Sequence, residues 1–330
     1  MCTAAVYHSS GDHYFGRNLD LERSYHETVT IAPRNLTFPM RHLPALSSHY
    51  AIIGMAFVVE KYPLFYDGMN EKGLCMAGLN FPGNACYRGP EEGRTNIASF
   101  ELIPYVLGTC ATVKEAREFF TRANITSDAF SPQLPPSPLH WMLADAEESI
   151  VVEQTSRGLA VYDNPAGVMT NNPTFDYQMT HLTDYLNVTA EKPENRLASQ
   201  LELKPYCLGM GGIGLPGDLS SSSRFVKAAF TRLNSVSDGS RSADLSQFFK
   251  ILGSVEQQKG CSRLGKDADG QLITEYTVYS SCCDMEEGIY YYTTYENSQI
   301  TGVSMNHENL DGSEVISWEL VHGQQIRMEN

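Results

Sequence analysis

Strand signals come in two blocks, with helical signals between and after them. That order restricts the fold more than any other feature of the chain. Residues 3–7 (TAAVY) and 14–20 (YFGRNLD) flank the turn-rich SSGD and predict a hairpin. Residues 27–32 (ETVTIA) and 50–59 (YAIIGMAFVV) are β-branched and apolar enough for two more strands. Residues 64–67 and 73–80, joined by NEKG, extend the same sheet. FELIPYVLGTC and TVKEAREFFTRAN then carry apolar residues at helical spacing, with Thr112 as an N-cap. FSPQLPPSP, residues 130–138, is too rich in proline for either element. Strands resume in LHWMLAD, SIVVEQT, LAVYDN and GVMTN. Helices are predicted over 174–186, over SSSSRFVKAAFTRL with a serine cap, and over 244–252. TEYTVYSSCC, GIYYYTTYEN and QITGVSMN are strands again. No βαβα rhythm, linker or repeat appears, so the pattern predicts α+β layers, with sheets packed face to face and helices outside.

Length, charge and cysteines exclude several classes. The 330 residues match a length prior of about two domains. Single domains of this size also exist. A net charge of −15 argues against nucleic-acid and anionic-membrane partners, which need basic patches. MCTAAVYHSSGDHYF lacks the basic n-region of a secretory signal, and no stretch has the apolar length of a membrane span. The eight cysteines (2, 75, 86, 110, 207, 261, 282, 283) form no C-x-x-C pair, so reduced thiols in a cytoplasm are expected. The N-x-[ST] matches at Asn35, Asn124 and Asn187 are then chance.

Few motifs survive inspection. GMGGIG at 209–214 fits G-x-G-x-x-G, but no strand precedes it and Pro216-Gly217 follow, so it reads as a loop. The nine histidines, His8, His13 and His140 among them, show no metal-site spacing, and none is singled out as the partner of a Cys–His dyad. Trp141 and the alternating Tyr290–Tyr292 run read as packing.

Cys2 is different. Methionine is usually trimmed before a small residue, and Cys2 would then carry a thiol and a free α-amine on one carbon. Taken alone, a cysteine there is most simply a small buried hydrophobe. FGRNLD, however, places Arg17 and Asp20 at the end of the strand expected beside it. A neighbouring guanidinium lowers a thiol pKa from about 8.5, and a carboxylate can orient an amine of reference pKa about 7.7–8.0. The same pair could be a structural salt bridge.

MCT, FGRNLD, YDGMNEKGLCMAGLNFP, VVEQT, VMTNNPTFDYQ, GLPGD followed by SRF, and YYYTTYEN occur in one order from Cys2 to Asn306. Together they resemble the choloylglycine hydrolase family, the bile salt hydrolases and penicillin V acylases among the N-terminal nucleophile hydrolases. The likeness is greater to the bile salt hydrolases. It implies a single domain over 1–330 with an αββα sandwich of two antiparallel sheets, and Met1 removed in the active form. Cys2 resembles the nucleophile, and Arg17 and Asp20 the pair supporting its thiol and amine. Asn171 resembles the oxyanion-hole amide. Asn80 resembles a second oxyanion donor through its backbone N–H, and Arg224 completes the polar network.

The implied reaction is hydrolysis of glycine- and taurine-conjugated bile salts through a thioester, with no metal or cofactor. A homotetramer is implied as well. Matching loop positions give Leu19, Val59, Phe130 and Leu134 as the lining of an apolar groove, with FSPQLPPSP as a lid. Two alternatives stay open. One is the same hydrolase acting on penicillin V or N-acyl homoserine lactones; the penicillin V acylase branch tends to carry tyrosine at the position of Asn80, so asparagine there favours bile salts. The other is an inert ligand-binding member of the fold.

Overall fold

The computed structural model describes residues 1–9 and 11–330. The first hairpin is there, Cys2–Ser9 against Asp12–Leu21; of the SSGD segment read as its turn, Ser10 lies outside the described residues. These strands are the middle of a seven-stranded antiparallel sheet. Its order is Val168–Met169, Cys2–Ser9, Asp12–Leu21, Leu272–Asp284, Ile289–Thr294 and Asn297–Ser304, with Ser262–Lys266 also paired to Leu272–Asp284. A second, eight-stranded antiparallel sheet runs Gly158–Asp163, Ser149–Thr155, Leu139–Ala144, Cys75–Asn80, Tyr62–Asn70, Ile52–Val59, Thr28–Ala32 and Ile316–Glu319.

Side-chain alternation explains the stacking. Along Leu139–Ala144, Met142 and Ala144 join the core that includes Cys2, Ala4 and Val6 of the first sheet. Trp141 and Leu143 instead pack with Val106, Leu107, Ala116 and Phe120. Those residues belong to the helices Leu102–Thr109 and Val113–Phe120. Ser149–Thr155 divides likewise, Val151 inward and Ile150 and Val152 toward the helices. Both faces of each strand are therefore buried, which is why these segments read as apolar runs. On the other side, Phe225, Ala228, Phe248 and Ile251 cover the first sheet from helices Ser221–Asn234 and Arg241–Gly253. The result is the predicted αββα sandwich.

Local readings mostly stand. Thr112 caps its helix by accepting the Glu115 N–H at 3.2 Å. The serine cap at Ser220 needs correction: its hydroxyl goes to Ser223 Oγ at 3.0 Å. Asp218 does the polar work there instead, accepting from Ser220 N–H at 2.8 Å and Ser223 Oγ at 2.6 Å. Those bonds hold its carboxyl down at about 2. Three edge elements were not foreseen: Ser262–Lys266, Ile316–Glu319, and a parallel pair Thr95–Ala98 with Ala123–Thr126. Among the described residues no helix is long and apolar enough to cross a membrane.

Candidate active site

Strand register brings the site together. Cys2 pairs with Leu19 and Ala4 with Arg17, so all four side chains point to the inner face. Arg17 comes close because Gly16 lies against the neighbouring strand: a Cβ there would meet the Ser281 carbonyl oxygen at 1.9 Å. On the other flank of Cys2–Ser9, Ala4 pairs with Met169. Continuing that register by one more pair of inward residues sets Asn171 opposite Cys2.

Both arginines are 1% exposed and both are committed to the Cys2 end of the sheet. Arg17 Nη1 donates to the Gly78 carbonyl at 2.6 Å and the Tyr66 carbonyl at 3.3 Å, which anchors it to the second sheet. Its Nη2 donates to Cys2 Sγ. Burial by itself would pull this guanidinium's pKa down. Cys2, Tyr279, Asp67 and Asp20 outweigh that and hold it above its ordinary range. Arg224, in the first turn of Ser221–Asn234, reaches the same place from the helix layer. It donates to the Cys2 carbonyl at 2.5 Å, Thr3 Oγ1 at 2.6 Å and Asn171 Oδ1 at 2.7 Å. Burial lowers its pKa, but a guanidinium starts so high that it stays charged.

Asn171 Oδ1 also accepts the Cys2 N–H at 2.8 Å. Two donors on one oxygen fix which way the amide points. Its Nδ2 donates to the Asn80 carbonyl at 2.7 Å, which engages one of its two N–H groups. Asn80, expected to act through its N–H, thus meets Asn171 through its carbonyl.

The resemblance gives the Asp20 carboxylate the task of orienting the Cys2 α-amine, a group that exists only once Met1 is removed. In the structure that carboxylate accepts from Thr277 Oγ1 at 2.6 Å and Gln257 Nε2 at 2.9 Å. Asp20 is the residue after Leu19, so it points to the face opposite Cys2 and meets the helix side. Its backbone carbonyl takes the Met1 amine at 2.8 Å.

Leu19, expected in the groove, lies directly across from Cys2 and is nearly as buried as Cys2 itself, at 3% exposure. Val59, Phe130 and Leu134 are half-buried. Asn80 ends Cys75–Asn80 opposite Leu139, and the loop before Leu139 carries Phe130 and Leu134. The antiparallel neighbour Tyr62–Asn70 starts at that same end, next to Val59. Phe130 packs against Tyr62 and Phe100, each at 5.3 Å between centroids. These three therefore rim the sheet end that holds Asn80.

Sequence reasoning passed over the support beneath Arg17. Asp67 is fully buried and accepts from Tyr279 at 2.6 Å, Tyr290 at 2.7 Å and Ser281 at 2.9 Å. Arg17 N–H in turn donates to Ser281 Oγ at 3.2 Å. Burial raises the Asp67 pKa, opposed by Arg17 and these hydroxyls. Asp67 stood inside YDGMNEKG, but nothing local distinguished it from a strand-end aspartate.

Residues 2–318 match the profile of the linear amide C–N hydrolases, choloylglycine hydrolase family. A bile salt hydrolase/transferase of Lactiplantibacillus plantarum is 54% identical over 320 residues, covering 97% of each chain. The crystal structure of the C2A mutant of a conjugated bile acid hydrolase from Clostridium perfringens superposes with a TM-score of 0.90 at 38% identity, covering 100% of both chains. Penicillin V acylase from Agrobacterium tumefaciens shares the fold, with a TM-score of 0.76 at 21% identity over 97% of this chain and 92% of its own. Profile and relatives span nearly the whole length, and the chain belongs to the choloylglycine hydrolase family.

Proposed function

We propose that this chain hydrolyses the amide bond of glycine- and taurine-conjugated bile salts, with Cys2 as an N-terminal nucleophile freed by loss of Met1. The observation that carries this reading is the convergence on Cys2. Arg17 Nη2 touches its sulfur, Asn171 Oδ1 its nitrogen and Arg224 its carbonyl. Names carried by full-length relatives supply the substrate class.

The geometry supports the following course. Arg17 gives the ionised sulfur a fixed, water-excluded counter-charge. The thiolate attacks the substrate carbonyl carbon. The second N–H of Asn171 Nδ2, with the backbone N–H of Asn80, receives the oxyanion, each donor contributing about 3–4 kcal/mol. The processed α-amine, held by Asn171 Oδ1, passes a proton to the departing glycine or taurine nitrogen. The C–N bond breaks and a thioester remains. Water, deprotonated by the same amine, cleaves it to the free acid and returns the thiolate beside the reprotonated amine. Asp20 acts at one remove, fixing the strand end through its bonds to Gln257 and Thr277. Val59, Phe130 and Leu134 line the mouth where the steroid enters.

The oligomer and compartment belong to the same proposal. Leu186, Leu197, Tyr206 and Leu208 are 81–91% exposed on one stretch with little regular structure. An apolar surface of that kind fits burial in a homotetramer. Light scattering would test it, and a monomer at micromolar concentration would exclude it. All eight cysteines are free, and Cys207 and Cys261 are exposed, which fits the reducing cytoplasm. Cell fractionation tests that placement.

The decisive experiment measures amine release from glycocholate, taurocholate and penicillin V by the processed protein, with Cys2→Ala as control. Release from neither conjugate would overturn the assignment.

A further inference from the structure

His140 was one of nine histidines that nothing in the sequence set apart. In the fold it is 1% exposed and faces inward from the second position of Leu139–Ala144. Its ring touches both segments of the oxyanion site. Nε2 lies 2.8 Å from the Thr170 carbonyl. A carbonyl only accepts, so this nitrogen carries a proton. The ring face stacks on Phe81, with centroids 4.1 Å apart and planes 4° from parallel. Thr170 precedes Asn171, and Phe81 follows Asn80.

The other ring nitrogen is fixed too. Nδ1 lies 3.1 Å from Glu153 Oε1, which also accepts the Phe175 N–H at 3.0 Å. Glu153 is fully buried, and its Oε2 has no partner among the described residues. A buried carboxylate is costly to keep. Apolar residues would fill the same inner-face positions more cheaply, as Met142 and Val151 do beside them. Between the same two segments, Asn171 Nδ2 bonds the Asn80 carbonyl at 2.7 Å and Asn172 Nδ2 the Pro82 carbonyl at 2.6 Å.

We propose that His140, oriented by Glu153, is a positioning residue that holds Asn80 and Asn171 at the spacing oxyanion stabilisation requires. This rests on the function proposed above and adds a group that touches no reacting atom. The ring clamps one neighbour of each oxyanion residue, by a hydrogen bond on the Thr170 side and by stacking on the Phe81 side. A slip of about 1 Å between the two donors would cost on the order of a hundredfold in rate.

Three variants of the full-length processed protein test this. His140→Gln keeps an N–H close to where Nε2 stood. His140→Asn keeps one only near Nδ1. Phe81→Leu removes the stacked ring. The readouts are kcat and KM for glycocholate, thermal unfolding, and the rate at which iodoacetamide alkylates Cys2, followed on the N-terminal peptide. Alkylation develops no oxyanion, so it reports on the nucleophile alone.

His140→Asn and Phe81→Leu should lower kcat by about 10- to 100-fold, with KM and alkylation within about threefold of wild type. His140→Gln should stay within about fivefold of wild type in kcat, because it restores the bond to Thr170. Equal kcat in the Gln and Asn variants would overturn the proposal, as would alkylation falling in step with kcat. Should His140→Asn fail to fold, the kcat of Phe81→Leu decides by itself. Wild-type protein that releases no glycine overturns the functional reading beneath it. An active wild type with equally active Asn and Leu variants overturns the positioning role alone.

Discussion

The backbone nitrogen of Cys2 lies 2.8 Å from Oδ1 of Asn171, a residue 169 positions away. One side chain thus faces the nucleophile's nitrogen with its oxygen and the Asn80 strand end with its nitrogen. In the proposed reaction an acyl substrate enters between those two groups, and Asn171 would couple orientation of the base to reception of the charge.

Removing the Asn171 amide should therefore be a loss in kcat more than in KM. Asn171→Ala is expected to lower kcat by about 10²–10³-fold, with KM changed far less. Steady-state kinetics on glycocholate checks it. A rise in KM at constant kcat would place Asn171 in substrate binding instead.

Cys2→Ala should abolish hydrolysis, a loss of about four orders of magnitude or more, and leave folding intact. The site is buried and small, so Ala fits. Cys2→Ser should be nearly as inactive, because a hydroxyl is far less acidic than a thiol. Amine release with circular dichroism as a folding control checks both. A tenth of wild-type turnover in Cys2→Ala would rule out this nucleophile.

The Cys2 nitrogen is an amide as long as Met1 is attached, and an amide takes up no proton at neutral pH. Intact mass of an active preparation should show the chain without methionine. An uncleavable N-terminal extension should leave it inactive. Full activity with such an extension would point to a histidine base.

The rim at the Asn80 end should select the steroid. Conjugated bile salts are expected to exceed penicillin V by tenfold or more in kcat/KM, about 1.4 kcal/mol of discrimination. Leu134→Asp should raise KM for cholate conjugates and leave Cys2 alkylation as it is. Equal kcat/KM on both substrates would move the chain toward acylase chemistry, and an unchanged KM would take this loop out of the binding site.

Asp284 gives a pH dependence of stability. Burial pushes its carboxyl up to about 6, with Glu286 and Asp12 adding to the rise and Arg241 opposing it. The folded state thus keeps a proton that the unfolded chain has already lost. The stability this contributes is full below about pH 4 and lost as pH rises through about 6. Asp284→Asn should match wild type near pH 4 and be more stable at pH 7–8. The difference should be on the order of 1–2 kcal/mol once screening by solvent and by half-exposed Arg241 is allowed for. Thermal unfolding across that range checks the sign: a variant less stable at pH 8 would show that the Arg241 pair outweighs the burial.

Local chemistry in the sequence determined most of the elements. Apolar runs marked strands buried on both faces, Thr112 marked a helix start, and the prolines of 130–138 excluded regular structure. Cys2 and FGRNLD were legible because the hairpin that joins them is short-range. Short edge strands such as Ile316–Glu319 left too weak a pattern.

Tertiary structure alone decided what else meets Cys2. Asn171 arrives because Val168–Met169 pairs on the free edge of Cys2–Ser9, and Arg224 because a helix 222 residues away covers that face. The family resemblance named these residues, but no spacing in the chain encodes which edge a distant strand will choose. Asp67 beneath Arg17 and His140 behind the two asparagines carried no local signal. Asp20 meets Thr277 and Gln257 because one step along a strand turns a side chain to the opposite face. Burial and contact across the sandwich give these groups their roles, and both come into being only when the two sheets close on one another.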